Sequence, residues 1–146
     1  MNARLKSISA PLMLASVLLV AGCGSAPEQQ TLFEQLGGMA KIEAVTDDFL
    51  YQLASDEVVR EHFANTNLDR FRTMMSQFIC QVADGPCDYK GDNMVDSHRN
   101  MGITHAEFNR VVEDYIVAME KNAIPTAAQN ELLRRLAKFY NDIMGA

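Results

Sequence analysis

Gly85-Pro86-Cys87-Asp88-Tyr89-Lys90-Gly91-Asp92-Asn93-Met94-Val95-Asp96-Ser97-His98-Arg99-Asn100-Met101-Gly102-Ile103-Thr104-His105-Ala106-Glu107-Phe108 is the stretch that decides how this 146-residue chain reads. Residues 84–97 are rich in Gly, Pro, Asp and Asn and form a loop by composition. The far end is a helix start. Thr104-x-x-Glu107 has the capping-box pattern, in which hydroxyl and carboxylate each accept the other residue's backbone N–H. Between loop and helix stands His98, one of three histidines with His62 and His105, followed by a Met101-Gly102-Ile103 turn.

Outward from that junction the body reads as helices. After the turn, Phe108, Val111, Val112, Tyr115, Ile116 and Met119 recur at helical spacing. Before the loop, Leu68, Phe71, Met75, Phe78, Ile79 and Val82 make the cleanest stripe in the chain, with Asn67 or Asp69 as its cap and Asp84-Gly85-Pro86 as its stop. Ile42, Val45, Phe49, Leu50 and Leu53 form another helix. Leu32, Phe33 and Leu36 make a short apolar turn stopped by Gly37-Gly38, and Ser55 is the expected cap of a brief helix through Phe63. Pro125 with Thr126-x-x-Gln129 starts a last helix whose buried face is Leu132, Leu133, Leu136, Phe139, Tyr140 and Ile143. No alternating apolar–polar run demands a strand. The expectation is an all-α domain with four long helices as its body.

The ends are of another kind. Arg4 and Lys6 precede an apolar run from Ile8 to Val20, which closes in Ala21-Gly22-Cys23. A basic head, a short apolar centre and small residues before a cut site make an export signal, and the run falls short of the roughly 20 residues a span needs. The cysteine at its end resembles the bacterial lipoprotein box, in which the thiol is acylated. The expected organisation is a signal peptide over 1–22, lipidated Cys23 with a polar tether over 23–30, and one domain over 31–146. The chain would then be exported and held by a lipid anchor to a bacterial membrane; Gly24 rather than Asp after the cysteine favours the outer membrane, facing the periplasm. Loss of the leader removes two basic residues and no acids, taking the formal charge from −6 to −8. Such an acidic body lacks the basic footprint of a nucleic-acid binder. In an oxidising compartment Cys80 and Cys87 either close a short loop or remain thiols.

Most catalytic chemistries leave no trace. No two histidines stand at i, i+4, no compact Cys/His cluster suits zinc, and no nucleophile elbow, phosphate loop or dinucleotide fingerprint is present. Asp47 and Asp48 are adjacent, so on a helix they diverge. What stands out is the supply of Met and Phe flanking His98: Met74, Met75, Met94, Met101, Phe63, Phe71, Phe78 and Phe108. These are either ordinary core or the lining of a slot for a flat apolar cofactor, and His98 is either a surface histidine or the axial donor that haem iron requires.

Residues 31–144 resemble group I truncated haemoglobins along nearly their whole length. The likeness is carried by Leu32-Phe33-Glu34-Gln35-Leu36-Gly37-Gly38, Asp48-Phe49, Phe63-Ala64-Asn65-Thr66-Asn67, Gly85-Pro86-x-x-Tyr89-x-Gly91-x-x-Met94 and His98-x-x-x-Gly102-Ile103 leading into Phe108. The absence of Trp agrees, because the other two main groups usually carry one near the haem. The resemblance implies a two-over-two helical sandwich around non-covalent haem b. It makes His98 the proximal iron ligand, with Phe63 packed on the haem. Phe71, Met75 and Phe78 would form the distal helix face, and Met94, Ile103, Phe108 and Val112 the pocket walls. Arg70, Thr66 and Tyr89 would be propionate partners.

The sequence departs from that family on the distal side. Leu50 stands where many members have a hydrogen-bonding Tyr, and Met75 where many have Gln. Tyr51 is one position along, which turns it about 100° away on a helix. An apolar distal pocket implies ordinary CO or NO binding and fast O2 release. Met74 or Met75 could instead supply a sixth ligand, giving a His/Met couple. The expected function is reversible binding of a diatomic ligand, with NO detoxification, gas sensing, NO dioxygenase or peroxidase-like chemistry as uses and an unknown reductant as partner. The rivals are a His/Met electron-transfer or redox-sensing lipoprotein and a haem-free helical interaction lipoprotein. No histidine follows His105, so a covalent haem bond from the last helix is not expected.

Overall fold

A computed structural model describes residues 30–146; the expected export signal, Cys23 and most of the expected tether lie outside the described residues. Seven helices follow in order among the described residues: α1 (Leu32–Gln35), α2 (Gly38–Ser55), α3 (Leu68–Val82), α4 (Met94–Ser97), α5 (His105–Lys121), α6 (Thr126–Leu136) and α7 (Tyr140–Met144). Short 3₁₀ turns at Arg60–Phe63 and Ala137–Phe139 interrupt the chain before α3 and after α6. No strand occurs among the described residues. The long helices α2, α3, α5 and α6 build the expected two-over-two sandwich, with α2 packed on both α5 and α3 and α3 reaching α6.

Local chemistry sets the boundaries. Thr31 and Glu34 form a capping box at α1, and Thr104 and Glu107 form the expected one at α5. Of the two candidate caps for α3, Asn67 acts, its Oδ1 accepting the Arg70 N–H at 2.9 Å. Gly37 adopts φ 90°, a left-handed turn that costs glycine nothing and lets α1 fold back onto α2. Three expectations are corrected. Ser55 does not cap the next element. It belongs to α2 and donates to the Tyr51 carbonyl, while Asp56 accepts the Val58 N–H at 2.7 Å. The 84–97 loop contains α4, started by Asn93 accepting the Asp96 N–H. The last helix starts at Thr126 behind Pro125 as expected, with Gln129 donating to the Ile124 carbonyl, but it is broken at 137–139.

The core lies between α2, α5 and α6 and the inner side of α3. Ile42, Phe49, Leu53, Ile79, Met119 and Leu132 are almost wholly buried, and Phe49 meets Tyr115 edge-on at 5.0 Å. A polar thread crosses it: Ser76 donates to Thr46 Oγ1 at 3.1 Å, and Thr46 donates to the Ile42 carbonyl at 2.9 Å. Asp114 is the exception. One of its buried oxygens has no partner, and burial together with nearby Asp56 raises its pKa. Cys80 and Cys87 are joined as a disulfide, with Cα atoms 5.9 Å apart. That bond ties the 84–92 segment to the end of α3, and Arg135 grips the same corner through the Val82 carbonyl at 2.7 Å and Asp84 at 2.6 Å.

Candidate functional site

His98 caps the C-terminus of α4 with φ −113° and ψ 7°, and its side chain is half-buried. Its Nδ1 lies 2.8 Å from the Met94 carbonyl oxygen. A carbonyl can only accept, so Nδ1 carries the proton and donates. The ring is thereby fixed in orientation and tautomer, and Nε2 is left with a lone pair. That is the arrangement by which a histidine is prepared to ligate a metal. Among the described residues no cluster of three His, Cys, Asp or Glu could hold a bare metal ion. Any metal at His98 would therefore need most of its ligands from elsewhere, such as a macrocycle.

Helix α3 has two apolar sides. At about 100° per residue, Ser76, Ile79 and Cys80 fall together and are 1% exposed or less. Phe71, Met75, Phe78 and Val82 fall together on another side, with Met74 at its edge, and all five are only half-buried. The same holds for the expected walls: Phe63, Met94, Ile103, Phe108 and Val112 are each half-buried. The structure pairs Phe63 with Phe71 at 5.8 Å and Phe78 with Tyr89 at 5.4 Å, both edge-on. Phe108 pairs instead with Tyr140, at 4.8 Å. Helix α4 packs chiefly on α7 and makes no comparable packing with α3.

At the rim, Arg70 and Tyr89 converge on one residue. Arg70 Nη2 stands 3.5 Å from Asp92 Oδ2, and the Tyr89 hydroxyl donates to the Asp92 carbonyl at 2.8 Å. Arg70 is exposed and weakly held, so it is free to meet an anion. Tyr89 is committed: its N–H also donates to Gln81 at 2.8 Å, and burial raises its phenol pKa. Glycine at 91 follows from that packing, since a Cβ there would sit 2.3 Å from the Tyr89 hydroxyl. Close approach, rather than an unusual φ, explains both Gly91 and Gly85. Thr66 is half-buried beside the 3₁₀ turn.

Beside the 3₁₀ turn lies a cleft of about 270 Å³, lined by Leu50, Leu53, Ala54, Phe63, Ala64 and Leu68 together with the charged Arg60 and Glu61. Tyr51 is 66% exposed and its ring faces the Lys121 ammonium, 5.9 Å from the centroid. It therefore does not replace the hydroxyl that Leu50 lacks. Sequence reasoning missed the clamp beside it. His62 donates from Nε2 to Glu107 at 3.0 Å, joining the 3₁₀ turn that carries Phe63 to the start of α5. The Thr104 N–H, the Thr104 hydroxyl and His62 together hold the Glu107 carboxyl down at about 2. The two residues are 45 apart in sequence, so no local pattern announces the pair.

Comparison with known proteins agrees with this geometry. The bacterial-like globin family matches residues 31–144. The group 1 truncated hemoglobin of Tetrahymena pyriformis is 28% identical over 116 residues, spanning 80% of this chain and 96% of that protein. That of Mycolicibacterium paratuberculosis is 26% identical over 116 residues, spanning 80% and 85%. The crystal structure of the Tetrahymena pyriformis protein in its Fe(III) form superposes with a TM-score of 0.76 at 27% identity, covering 79% of this chain and 98% of that one. The 2/2 hemoglobin of Synechococcus, solved with covalently attached heme, superposes with a TM-score of 0.74 at 21% identity, which speaks for the fold alone. With its family match running from Thr31 to Met144 over an all-helical sandwich, the chain belongs to the bacterial-like globin family.

Proposed function

We propose that this chain binds haem b non-covalently between α3 and the α4–α5 segment, with His98 Nε2 as proximal ligand, and that it binds a diatomic gas reversibly. The observation that carries this is the His98 ring, held by its Nδ1–H on the Met94 carbonyl with Nε2 left as donor. The residues fit the group. A flat apolar ring suits the half-buried face of Phe71, Met75 and Phe78 together with Phe63, Met94, Ile103, Phe108 and Val112, and Arg70 at the rim suits a carboxylate. Bound haem would supply an iron coordination position for O2, NO or CO. Leu50 and the outward Tyr51 leave that position without an evident phenol donor, so fast O2 release is expected beside ordinary CO or NO binding. NO detoxification or gas sensing, fed by a reductant still to be identified, are the uses consistent with such a pocket.

Absorption spectra of the haem-loaded protein, ferric and then ferrous with and without CO, test the reading in wild type and His98→Ala. Stoichiometric haem in the wild type, lost or spectrally altered in the variant, is the expected result; no haem uptake by the wild type refutes it. A second reading is favoured by one feature, the thioethers of Met74 and Met75 half-buried beside the open face of α3. Ligation by either would make a low-spin His/Met centre suited to electron transfer or redox sensing. A spectrum that stays unchanged in Met74→Leu and in Met75→Leu removes it. We further propose that Cys23 is the lipidated residue of an exported protein anchored to a bacterial membrane, with the outer membrane as its destination. Metabolic labelling with a fatty acid, lost in Cys23→Ser, tests this.

A further inference from the structure

We propose that Tyr140 is a redox-active residue that gives up one electron while passing its phenolic proton to His105, and so carries electrons between the pocket and the protein surface. The inference rests on the haem reading for its oxidant and on the geometry of this pair for its site. The chain has no Trp, which leaves tyrosine as its aromatic donor of single electrons. A tyrosine oxidised at moderate potential must lose its proton at the same time, so it needs a base against its hydroxyl.

The four tyrosines differ on this point. Tyr51 is exposed and faces the cationic Lys121, which disfavours removing an electron. The Tyr89 hydroxyl donates to a backbone carbonyl, too weak a base to take the proton. Tyr115 is sealed in the core, and burial pushes its phenol pKa up. Tyr140 alone has its hydroxyl hydrogen-bonded to an imidazole nitrogen, Nδ1 of His105, with the two rings stacked 13° from parallel. The phenol is the stronger acid of the two, so it donates and Nδ1 accepts.

Position adds to chemistry. Tyr140 is half-buried and meets Phe108, an expected wall of the haem pocket, edge-on at 4.8 Å. On its other side, His105 is exposed. The pair thus spans the distance from pocket wall to solvent. Oxidation converts Tyr140 and neutral His105 into a neutral tyrosyl radical, an imidazolium and one electron. Haem, if bound, would supply the site where hydrogen peroxide is the oxidant; two electrons, from two turns of Tyr140, and two protons from solvent convert one hydrogen peroxide to two waters. An external one-electron reductant at the surface then restores the phenol, with the proton returned from His105.

Rapid-freeze EPR of the haem-loaded full chain after mixing with hydrogen peroxide tests the proposal, with an absorption spectrum of each sample to report haem loading. A tyrosyl signal is expected in wild type and in Tyr51→Phe, lost in Tyr140→Phe and several-fold weaker in His105→Gln, with haem absorption unchanged throughout. An undiminished signal in Tyr140→Phe or His105→Gln, or none in the loaded wild type, overturns it. If the absorption spectra show that no haem binds, the haem reading has failed by itself. Hexachloroiridate(IV) then serves as oxidant of the haem-free chain, where oxidation of Tyr51 ahead of Tyr140 refutes the proposal and the reverse order supports it.

Discussion

On one side of α3, Ser76, Ile79 and Cys80 are sealed against the protein core; on the other, Phe71, Met74, Met75 and Phe78 are only half covered. Spaces elsewhere in the molecule differ as widely, the larger one touching α3 only at Leu68. The gap among Leu36, Ile79, Met119 and Leu132 is about 10 Å³, room for no more than one water. The cleft beside Leu50 and Phe63 is about 270 Å³. A single helix therefore serves two purposes. Its inner face supplies stability by close packing, where any missing methyl leaves a void. Its outer face offers apolar area that no neighbouring helix fully covers, which is what a flat ligand requires.

Substitutions on the two faces separate these roles. The largest effect belongs to the sealed side: Ile79→Ala is expected to cost about 3 kcal/mol, seen as an equal loss in denaturant melts with and without haem, while the haem spectrum stays put. Opening the Cys80–Cys87 bond comes next. Closing so short a loop constrains the unfolded chain by about 2 kcal/mol, and a melt under reducing conditions should show that loss. Met75→Ala should disturb the haem-free protein less than Ile79→Ala does, because its site is already half open, yet weaken haem retention measured by transfer to apomyoglobin. If both positions behave alike in the two assays, the contrast between the faces fails.

The smallest expected effect is on pH dependence. Glu107 is held at about 2, below the ordinary carboxylate value, by Thr104 and His62. A depressed carboxylate contributes stability that is complete above its unfolded pKa, about 4.3, and lost as pH falls through the folded value. Melts should therefore show wild type losing stability from about pH 5 towards about pH 2, and a shallower loss in Glu107→Gln.

Local signals made much of this legible. Helical spacing gave the stripes of α2, α3 and α5, and Thr104 with Glu107 marked the start of α5 because a capping box is complete within four residues. His98 was legible through the ordered motif around it more than through its own surroundings. What hid was short or distant. Helix α4 is four residues long inside a segment whose composition reads as loop, and the break at 137–139 interrupts a stripe whose periodicity continues across it. The two faces of α3 merged into one stripe, since Ile79 and Phe78 are neighbours that packing sends to different sides. His62 with Glu107 and His105 with Tyr140 are joined only by the fold, across 45 and 35 residues.

The claim at the centre is that His98 Nε2 binds haem iron. Resonance Raman spectroscopy of the ferrous, haem-loaded protein addresses it directly through the low-frequency iron–histidine stretch. This line should be present in wild type, shift on iron-isotope substitution, disappear in His98→Ala and return when imidazole is added to that variant. An unchanged line in His98→Ala would mean that another residue holds the iron and that His98 is not the proximal ligand.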